Sequence, residues 1–147
     1  MAPKKLPEKN FLETFKYVPR VAVNILVKNG KGEVLLTKRA IPPEEGDWHY
    51  PGAFILKNER IDDCFKRVSQ KELGVRLNPG KKKILGVFEN LHGDPRGHII
   101  DLVYEYKLTG GLILTPTKES AEIKFFKKLP AKIGFNHKSI LGKLGYK

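Results

Sequence analysis

The order of the predicted elements indicates an α/β fold in which a mixed β-sheet is sandwiched between α-helices. Segments rich in β-branched residues stand before and after one strongly amphipathic helix, over residues 61–73. Strands and helices do not alternate regularly, and helical turns are expected near the end of the chain. With 147 residues, the sequence predicts a single domain over 1–147, because this length is typical of one hydrophobic core.

The N-terminal half is predicted to contain a helix, a hairpin and a loop. Phe11, Leu12 and Phe15 have helical spacing within an N-terminal helical segment (1–17), and Pro19 ends it. A Gly-containing turn at residues 29–32 is typical of a hairpin. The predicted elements are a helix over 8–17, strands over 21–28 and 33–38, a loop over 40–46, and a short strand or two within 48–56.

The C-terminal half is predicted to contain the amphipathic helix and three further strands. Asp62 and Asp63 lie in the first turn of this helix, where its dipole favours acidic residues, and Gly74 is expected to end it. The predicted elements after this helix are strands over 84–90, 98–108 and 121–126 and helical turns over 129–133 and 137–144.

The composition favours an anionic partner and excludes several classes of protein. Lys and Arg total 28 against 16 Asp and Glu, a net charge of +12, which suits nucleotides and phosphates. The charge is also compatible with nucleic acid, but no RRM-like, KH-like or zinc-finger motif accompanies it. The single Cys64 excludes an internal disulfide and fits a cytoplasmic protein. No apolar run is long enough for a membrane span, and the N-terminus does not resemble a signal peptide.

Glu72 is the least expected residue of the amphipathic helix. Cys64, Phe65 and Val68 fall on one apolar face, and Glu72 falls within the same face. An unpaired ionised carboxylate there would be costly if it were buried. The residue therefore either frays into solvent beside Gly74 or has a partner such as a metal ion bound to phosphate.

The spacing around Glu72 resembles the signature of the Nudix hydrolases. The resemblance extends over about residues 18–130, with a loop-helix motif at 46–75. The residues that carry it are Gly46, Trp48, Pro51, Gly52, Glu59, Arg67, Glu72 and Gly74. It implies a Nudix fold and a divalent cation, Mg²⁺ or Mn²⁺, held against a diphosphate. Trp48 is more typical of loop packing than of ligand contact.

Three positions depart from the family signature. Ala53 replaces a Gly, whereas Val68 and Lys71 replace acidic residues that hold metal in the family. One Mg²⁺ often takes only one or two carboxylates, with water and phosphate completing about six ligands. Glu72 is therefore expected to anchor a single metal rather than a cluster. Lys71 either lies near the phosphates or points into solvent.

The chain is most similar to the GDP-mannose mannosyl hydrolase branch, whose signature is also depleted. That resemblance implies a single metal held by the Gly52 carbonyl, Glu72 and Glu119. An Arg and a His that this branch uses fall at Phe54 and near Ser120 in this chain. Attack at phosphorus is therefore at least as well supported as attack at a sugar carbon.

Several polar residues are candidates for catalysis or substrate binding. A general base has to reach one water near the metal. The candidates for the base are Glu119, Glu122, His92, His98 and Asp101. Arg39 is either a phosphate clamp or a surface charge. Asn24 either binds a base or sugar edge or is a satisfied strand residue, and Asp101 either faces a pocket, where it would contact substrate, or marks an exposed face of its strand.

Arg67 is expected to pair with Glu59, and with Ala53 and Gly74 these residues form the structural part of the motif. The sequence thus predicts hydrolysis of a nucleoside diphosphate linked to another group, with a nucleotide sugar as the expected substrate. The alternative is an inactive Nudix-fold protein that binds nucleotide or nucleic acid. The oligomeric state stays open, a homodimer included.

Overall fold

The computed structural model describes residues 2–147 and places seven strands in one sheet. The elements are α1 (Glu8–Thr14), β1 (Arg20–Lys28), β2 (Val34–Arg39), β3 (Trp48–His49), β4 (Gly52–Phe54), α2 (Ile61–Leu73), a 3₁₀ turn (Pro79–Lys81), β5 (Lys83–Asn90), β6 (Ile99–Lys107), β7 (Ser120–Phe126) and α3 (His137–Lys143).

The sheet is mixed and has β1 near its centre. The strand order is β3-β2-β1-β6-β5, with β4 paired to β1 and β7 paired to β2. β1 runs parallel to β6 over its full length, with Arg20 opposite Ile99 and Lys28 opposite Lys107. The other pairings are antiparallel.

Alternate residues of β1 enter two separate cores on the two faces of the sheet. Val23, Ile25 and Val27 pack with Phe65 of α2 in one core. The opposite face carries Leu26, which lies in a second core with residues of α3. Because side chains of a strand alternate between its faces, this pattern places α2 and α3 on opposite sides. The predicted mixed sheet between helices is confirmed.

The structure corrects the prediction of helical turns at 129–133. This segment runs beside β3 instead, where Ile133 forms a parallel bridge with Trp48 and the Trp48 N–H donates to the Lys132 carbonyl at 3.0 Å. Leu129 and Ile133 pack on the α3-side core from this irregular segment. Their apolar spacing therefore reflects packing of a loop and not a helix. α1 is also shorter than predicted, since it ends at Thr14.

None of the helices formed within residues 2–147 is both long enough and apolar enough to cross a membrane.

Candidate functional site

An ion pair fixes the loop before α2 against the helix itself. Arg67 Nε donates to Glu59 Oε2 at 2.8 Å, and one of its terminal nitrogens donates to Glu59 Oε1 at 2.9 Å. The same nitrogen donates to the Phe54 carbonyl at 2.8 Å, which ties β4 to the helix. Burial raises the pKa of Glu59, but the Arg67 hydrogen bonds outweigh it and hold the pKa below its usual value. The predicted pairing of Arg67 with Glu59 is present.

The end of α2 depends on Gly74. This residue adopts φ 73°, a left-handed conformation that ends helices and favours glycine. A Cβ atom there would lie 2.3 Å from Thr115 Oγ1, so the loop between β6 and β7 packs directly against the helix end. Gly74 therefore sets where the helix stops, two residues after Glu72.

A cavity of about 1120 Å³ lies beside the end of α2 and β4. Of the signature positions and candidate site residues of the sequence, those that line it are Asn24, Arg39, Gly52, Ala53, Phe54, Arg67, Val68, Lys71, Glu72, Asp101 and Glu119. Glu59 and Gly74, which hold α2 in place, are not among the residues that line the cavity. His92 and His98 are not among the lining residues either, so the geometry does not support either as a general base.

Glu72 is buried at the cavity wall and does not fray into solvent. Its side chain is 5% exposed, and its Oε2 accepts a hydrogen bond from the Gly52 N–H at 2.7 Å. Burial raises the pKa of Glu72 to about 8, with Glu119 adding to the rise and the Gly52 N–H opposing it. The carboxyl is thus protonated at neutral pH unless a cation compensates its charge.

His49 is the second buried partner of Glu72, and sequence reasoning missed it. Its Nε2 lies 3.3 Å from Glu72 Oε1 and 3.1 Å from Thr37 Oγ1. Burial, with Arg39 nearby, lowers the pKa of His49 to about 3. Since burial favours the neutral form of both groups, the contact joins two neutral partners and is not an ion pair.

The carbonyl of Gly52 points to the same side as the Glu72 contact. Ile25 N donates to the Pro51 carbonyl at 2.8 Å, and Ile55 N donates to the Val21 carbonyl at 2.9 Å. Because antiparallel partners alternate between bonded and non-bonded pairs, Gly52 forms a non-bonded pair with Asn24. Both its N–H and its C=O therefore face away from β1.

The loop between β6 and β7, which carries Glu119, is tied to the end of α2. The Thr117 hydroxyl donates to the carbonyl of Lys71, the residue before Glu72. The Glu119 N–H donates to Thr117 Oγ1 at 3.2 Å, and its carbonyl accepts from Ala40 at 3.0 Å. These contacts hold the half-buried Glu119 at the cavity near Glu72.

Asn24 and Asp101 form a buried polar pair that faces the cavity. Asn24 Nδ2 donates to Asp101 Oδ1 at 2.9 Å, and Asn136 Nδ2 donates to Oδ2 at 3.4 Å. Burial raises the pKa of Asp101 despite these two donors. Both residues are about as buried as core residues, so they are satisfied strand residues and cavity residues at once.

Arg39 is partly engaged by its own loop. Its guanidinium donates to the carbonyls of Pro42 and Pro43 and lies 4.9 Å from the ring centre of Phe135. Burial lowers its pKa, whereas the nearby Glu72 opposes that change. Arg39 is therefore a positioned cavity cation, with part of its hydrogen-bonding capacity already used.

Comparison with known proteins identifies the family of this chain. The family model described as the NUDIX domain matches residues 18–139. The chain belongs to the NUDIX domain family. An ADP-ribose pyrophosphatase from Methanocaldococcus jannaschii is 34% identical over 143 residues, which cover 94% of this chain and 81% of that protein.

Two further matches are a protein with a different described role and a solved structure whose described roles include ADP ribose pyrophosphatase. The low-salt glycan biosynthesis protein Agl8 from Haloferax volcanii is 30% identical over 128 residues, covering 83% of this chain and 80% of Agl8. A bifunctional NMN adenylyltransferase/ADP ribose pyrophosphatase from Francisella tularensis was solved with AMP and a manganese ion. That structure matches with a TM-score of 0.71 and 20% identity over 93% of this chain and 46% of that one, which is a likeness of fold. The narrower similarity to the GDP-mannose mannosyl hydrolase branch stays a prediction.

The donor set of this Nudix cavity fits one hard cation and not a cluster. Glu72, Glu119 and the Gly52 carbonyl offer oxygen ligands of the kind that Mg²⁺ and Mn²⁺ take. Within residues 2–147, no three His, Cys, Asp or Glu side chains lie together as a metal-binding group. Val68 is one reason for this absence of a metal cluster. It stands where the family has an acid, and it is 1% exposed in the core beneath α2. Water and substrate phosphates would have to complete the coordination.

The cavity also contains residues that sequence reasoning missed. These are His49, His137, Arg20, Arg96, Phe11, Phe135 and Asn136. His49 stands within the 46–75 motif, and its place beside Trp48 was a usable signal. The other residues come from separate segments, and no local pattern marks them. Trp48 itself packs on Phe126, with ring centres 4.9 Å apart, as expected for loop packing.

Proposed function

We propose that this Nudix protein hydrolyses a nucleoside diphosphate linked to a second group, with one Mg²⁺ or Mn²⁺. The observation that carries the proposal is the buried carboxyl of Glu72 in the wall of a large cavity, hydrogen-bonded to Gly52 and close to Glu119. A buried acid with a strongly raised pKa at a cavity is typical of a functional site. A cation bound there would compensate the charge that burial otherwise disfavours.

Glu72, the Gly52 carbonyl and Glu119 would hold the metal. When bound, the metal supplies a Lewis acid for the diphosphate and stabilises charge on its oxygens. Arg39 lies near Glu72 and offers its remaining donor capacity to a phosphate oxygen. Lys71 also lines the cavity, which favours the phosphate-facing alternative for this residue.

Glu119 is the best-placed candidate for the general base. Of the five candidates, only Glu119 and Asp101 line the cavity, and Asp101 already accepts hydrogen bonds from two amides. Glu119 acts either on the metal or on the attacking water. Replacing Glu119 with Gln separates these roles, because loss of a metal ligand weakens Mn²⁺ binding whereas loss of a base lowers kcat alone.

ADP-ribose and nucleotide sugars are the substrates to test first. The M. jannaschii relative is an ADP-ribose pyrophosphatase, and Agl8 is a glycan biosynthesis protein, so the two support different second groups. Attack at phosphorus is at least as well supported as attack at carbon, because the Arg and the His that the mannosyl hydrolase branch uses fall at Phe54 and near Ser120.

The test is hydrolysis of ADP-ribose and GDP-mannose in H₂¹⁸O with Mg²⁺ or Mn²⁺. A nucleoside monophosphate and a sugar phosphate, with ¹⁸O on one of the two phosphates, support the proposal, whereas unlabelled GDP and free mannose from GDP-mannose would place attack at carbon. Glu72→Gln should abolish turnover, and Glu122→Gln, an exposed carboxylate outside the cavity, should not. Full activity of Glu72→Gln would refute the metal role of Glu72.

A binding protein without catalysis is the second candidate, and the replacement of two family acids by Val68 and Lys71 favours it. This alternative predicts ligand binding by isothermal titration with no turnover of any substrate in the panel. It also predicts that Glu72→Gln leaves ligand affinity unchanged.

A further inference from the structure

Arginine and phenylalanine side chains alternate along one wall of the cavity. Starting from Arg39, which lies near Glu72, this Arg–Phe ladder consists of Arg39, Phe135, Arg96, Phe54, Arg20 and Phe11. The distances from guanidinium carbon to ring centre are, in that order, 4.9, 5.4, 5.0, 5.7 and 5.1 Å. All five lie within the range of cation–π contact.

The far end of the ladder is built by α1, which lies outside the part of the chain that the family model matches. That match begins at residue 18, whereas Phe11 belongs to α1. Phe11 and Phe15 pack on Phe54, with ring centres 5.4 and 5.5 Å apart. Since α1 has no buried residue, these aromatic contacts hold it at the cavity and leave Phe11 in its lining.

Arg20 gives this end an uncompensated positive charge. Arg96 pairs with Asp94 at 2.7 Å, but within residues 2–147 no carboxylate lies within 4 Å of Arg20. Its NH1 donates to Thr14 Oγ1 at 2.6 Å, and its guanidinium lies over the rings of Phe11, Phe15 and Phe54. A planar group that enters the cavity here would meet Phe11, Phe54 and the Arg20 guanidinium, which all line it.

We propose that the Phe11–Arg20–Phe54 end of the ladder stacks the base of a nucleoside diphosphate. This inference rests on the proposed function, which places the phosphates at the Glu72 and Arg39 end. Nucleobases stack on Phe rings and on guanidinium planes, whereas a sugar has no planar π-face to offer. The chain therefore recognises the nucleoside half of its substrate with α1, an element outside the matched domain.

The test compares ADP with inorganic pyrophosphate, which has the diphosphate but no base, by isothermal titration in Mg²⁺ buffer. Phe11→Leu should weaken ADP binding by about tenfold, the scale of one stacked base, and change pyrophosphate binding less than twofold. Phe11→Trp, which keeps an aromatic ring at this position, should bind ADP about as tightly as the wild type. Tyr17→Leu, an exposed aromatic just after α1 and outside the cavity, is the matched control.

Equal weakening of both ligands by Phe11→Leu, or no change in ADP affinity, would overturn the stacking role. Wild-type protein that binds pyrophosphate in a Glu72-dependent manner, but ADP no more tightly, would overturn it while leaving the proposed function intact. Failure to bind either ligand would overturn both. Thermal melting of each variant checks that it is folded, and Phe11→Leu keeps most of the apolar volume.

Discussion

The Nε2 atom of His49 lies 3.3 Å from Oε1 of Glu72, and both side chains are almost fully buried. Burial moves their pKa values in opposite directions, to about 3 for His49 and about 8 for Glu72. At neutral pH the pair therefore has no net charge, with a neutral imidazole and a protonated carboxyl. A cation bound at Glu72 would displace the carboxyl proton and leave the ionised carboxylate beside a neutral imidazole.

Metal affinity should rise with pH up to about 8. The metal needs Glu72 ionised, and its pKa is about 8, so protons compete with the metal below that pH. The dissociation constant for Mn²⁺ should fall by about tenfold per pH unit between pH 6 and 7.5, as expected for one displaced proton. Isothermal titration in buffers of different ionisation enthalpy measures both the affinity and the proton release. A Mn²⁺ affinity that is constant from pH 6 to 8 would contradict a protonated Glu72.

Glu72→Gln should stabilise the metal-free protein at high pH. The pKa of Glu72 is about 8 when folded and 4.5 as its ordinary value, so the folded state binds the extra proton between these pH values. The stability from this group is therefore complete below about pH 4.5 and is lost as pH rises to about 8. Gln stays neutral, so at pH 8.5 with EDTA the variant should gain on the order of a few kcal/mol.

Urea unfolding at pH 5 and at pH 8.5 provides the comparison for Glu72→Gln. At pH 5 the variant and the wild type should have nearly equal free energies of unfolding. Glu122→Gln, at an exposed position of β7, should show no such difference between the two pH values. Equal effects of Glu72→Gln at both pH values would show that packing, and not ionisation, is responsible.

Arg67→Ala should destabilise the protein by about 2–4 kcal/mol, because it leaves the Glu59 carboxylate buried without its partner. The Glu59 side chain is only 5% exposed, and Arg67 also donates to the Phe54 carbonyl. Urea unfolding measures the loss, and Gln70→Ala on the exposed face of α2 is the control. In a double-mutant cycle, Glu59→Ala should cost less in the Arg67→Ala background. Additive losses would mean that the ion pair is not the source of the effect.

Local spacing was enough to predict the frame of the site but not its full lining. Glu72, Gly74 and the Arg67–Glu59 pair lie within one loop-helix segment, where helical geometry fixes which side chains meet. The Arg–Phe ladder is assembled from segments far apart in the chain, so only the tertiary fold brings it together. The prediction of helical turns at 129–133 was wrong for the same reason, since packing against β3 overrides the helical spacing of this segment.

Cys64 should be inert in the folded protein and reactive only after unfolding. The side chain is 0% exposed in the α2-side core, and burial raises the pKa of its thiol to about 12. Thiolate, the form that reacts, is therefore scarce at pH 8, and reagents cannot reach the sulfur. Because the chain has a single cysteine, the absorbance change with a chromogenic disulfide reagent reports this site alone. The native protein should react only at the rate at which its core opens. In about 6 M guanidinium chloride, a fully denaturing concentration, the single thiol should react at once. Rapid labelling under native conditions would show that α2 does not seal this core.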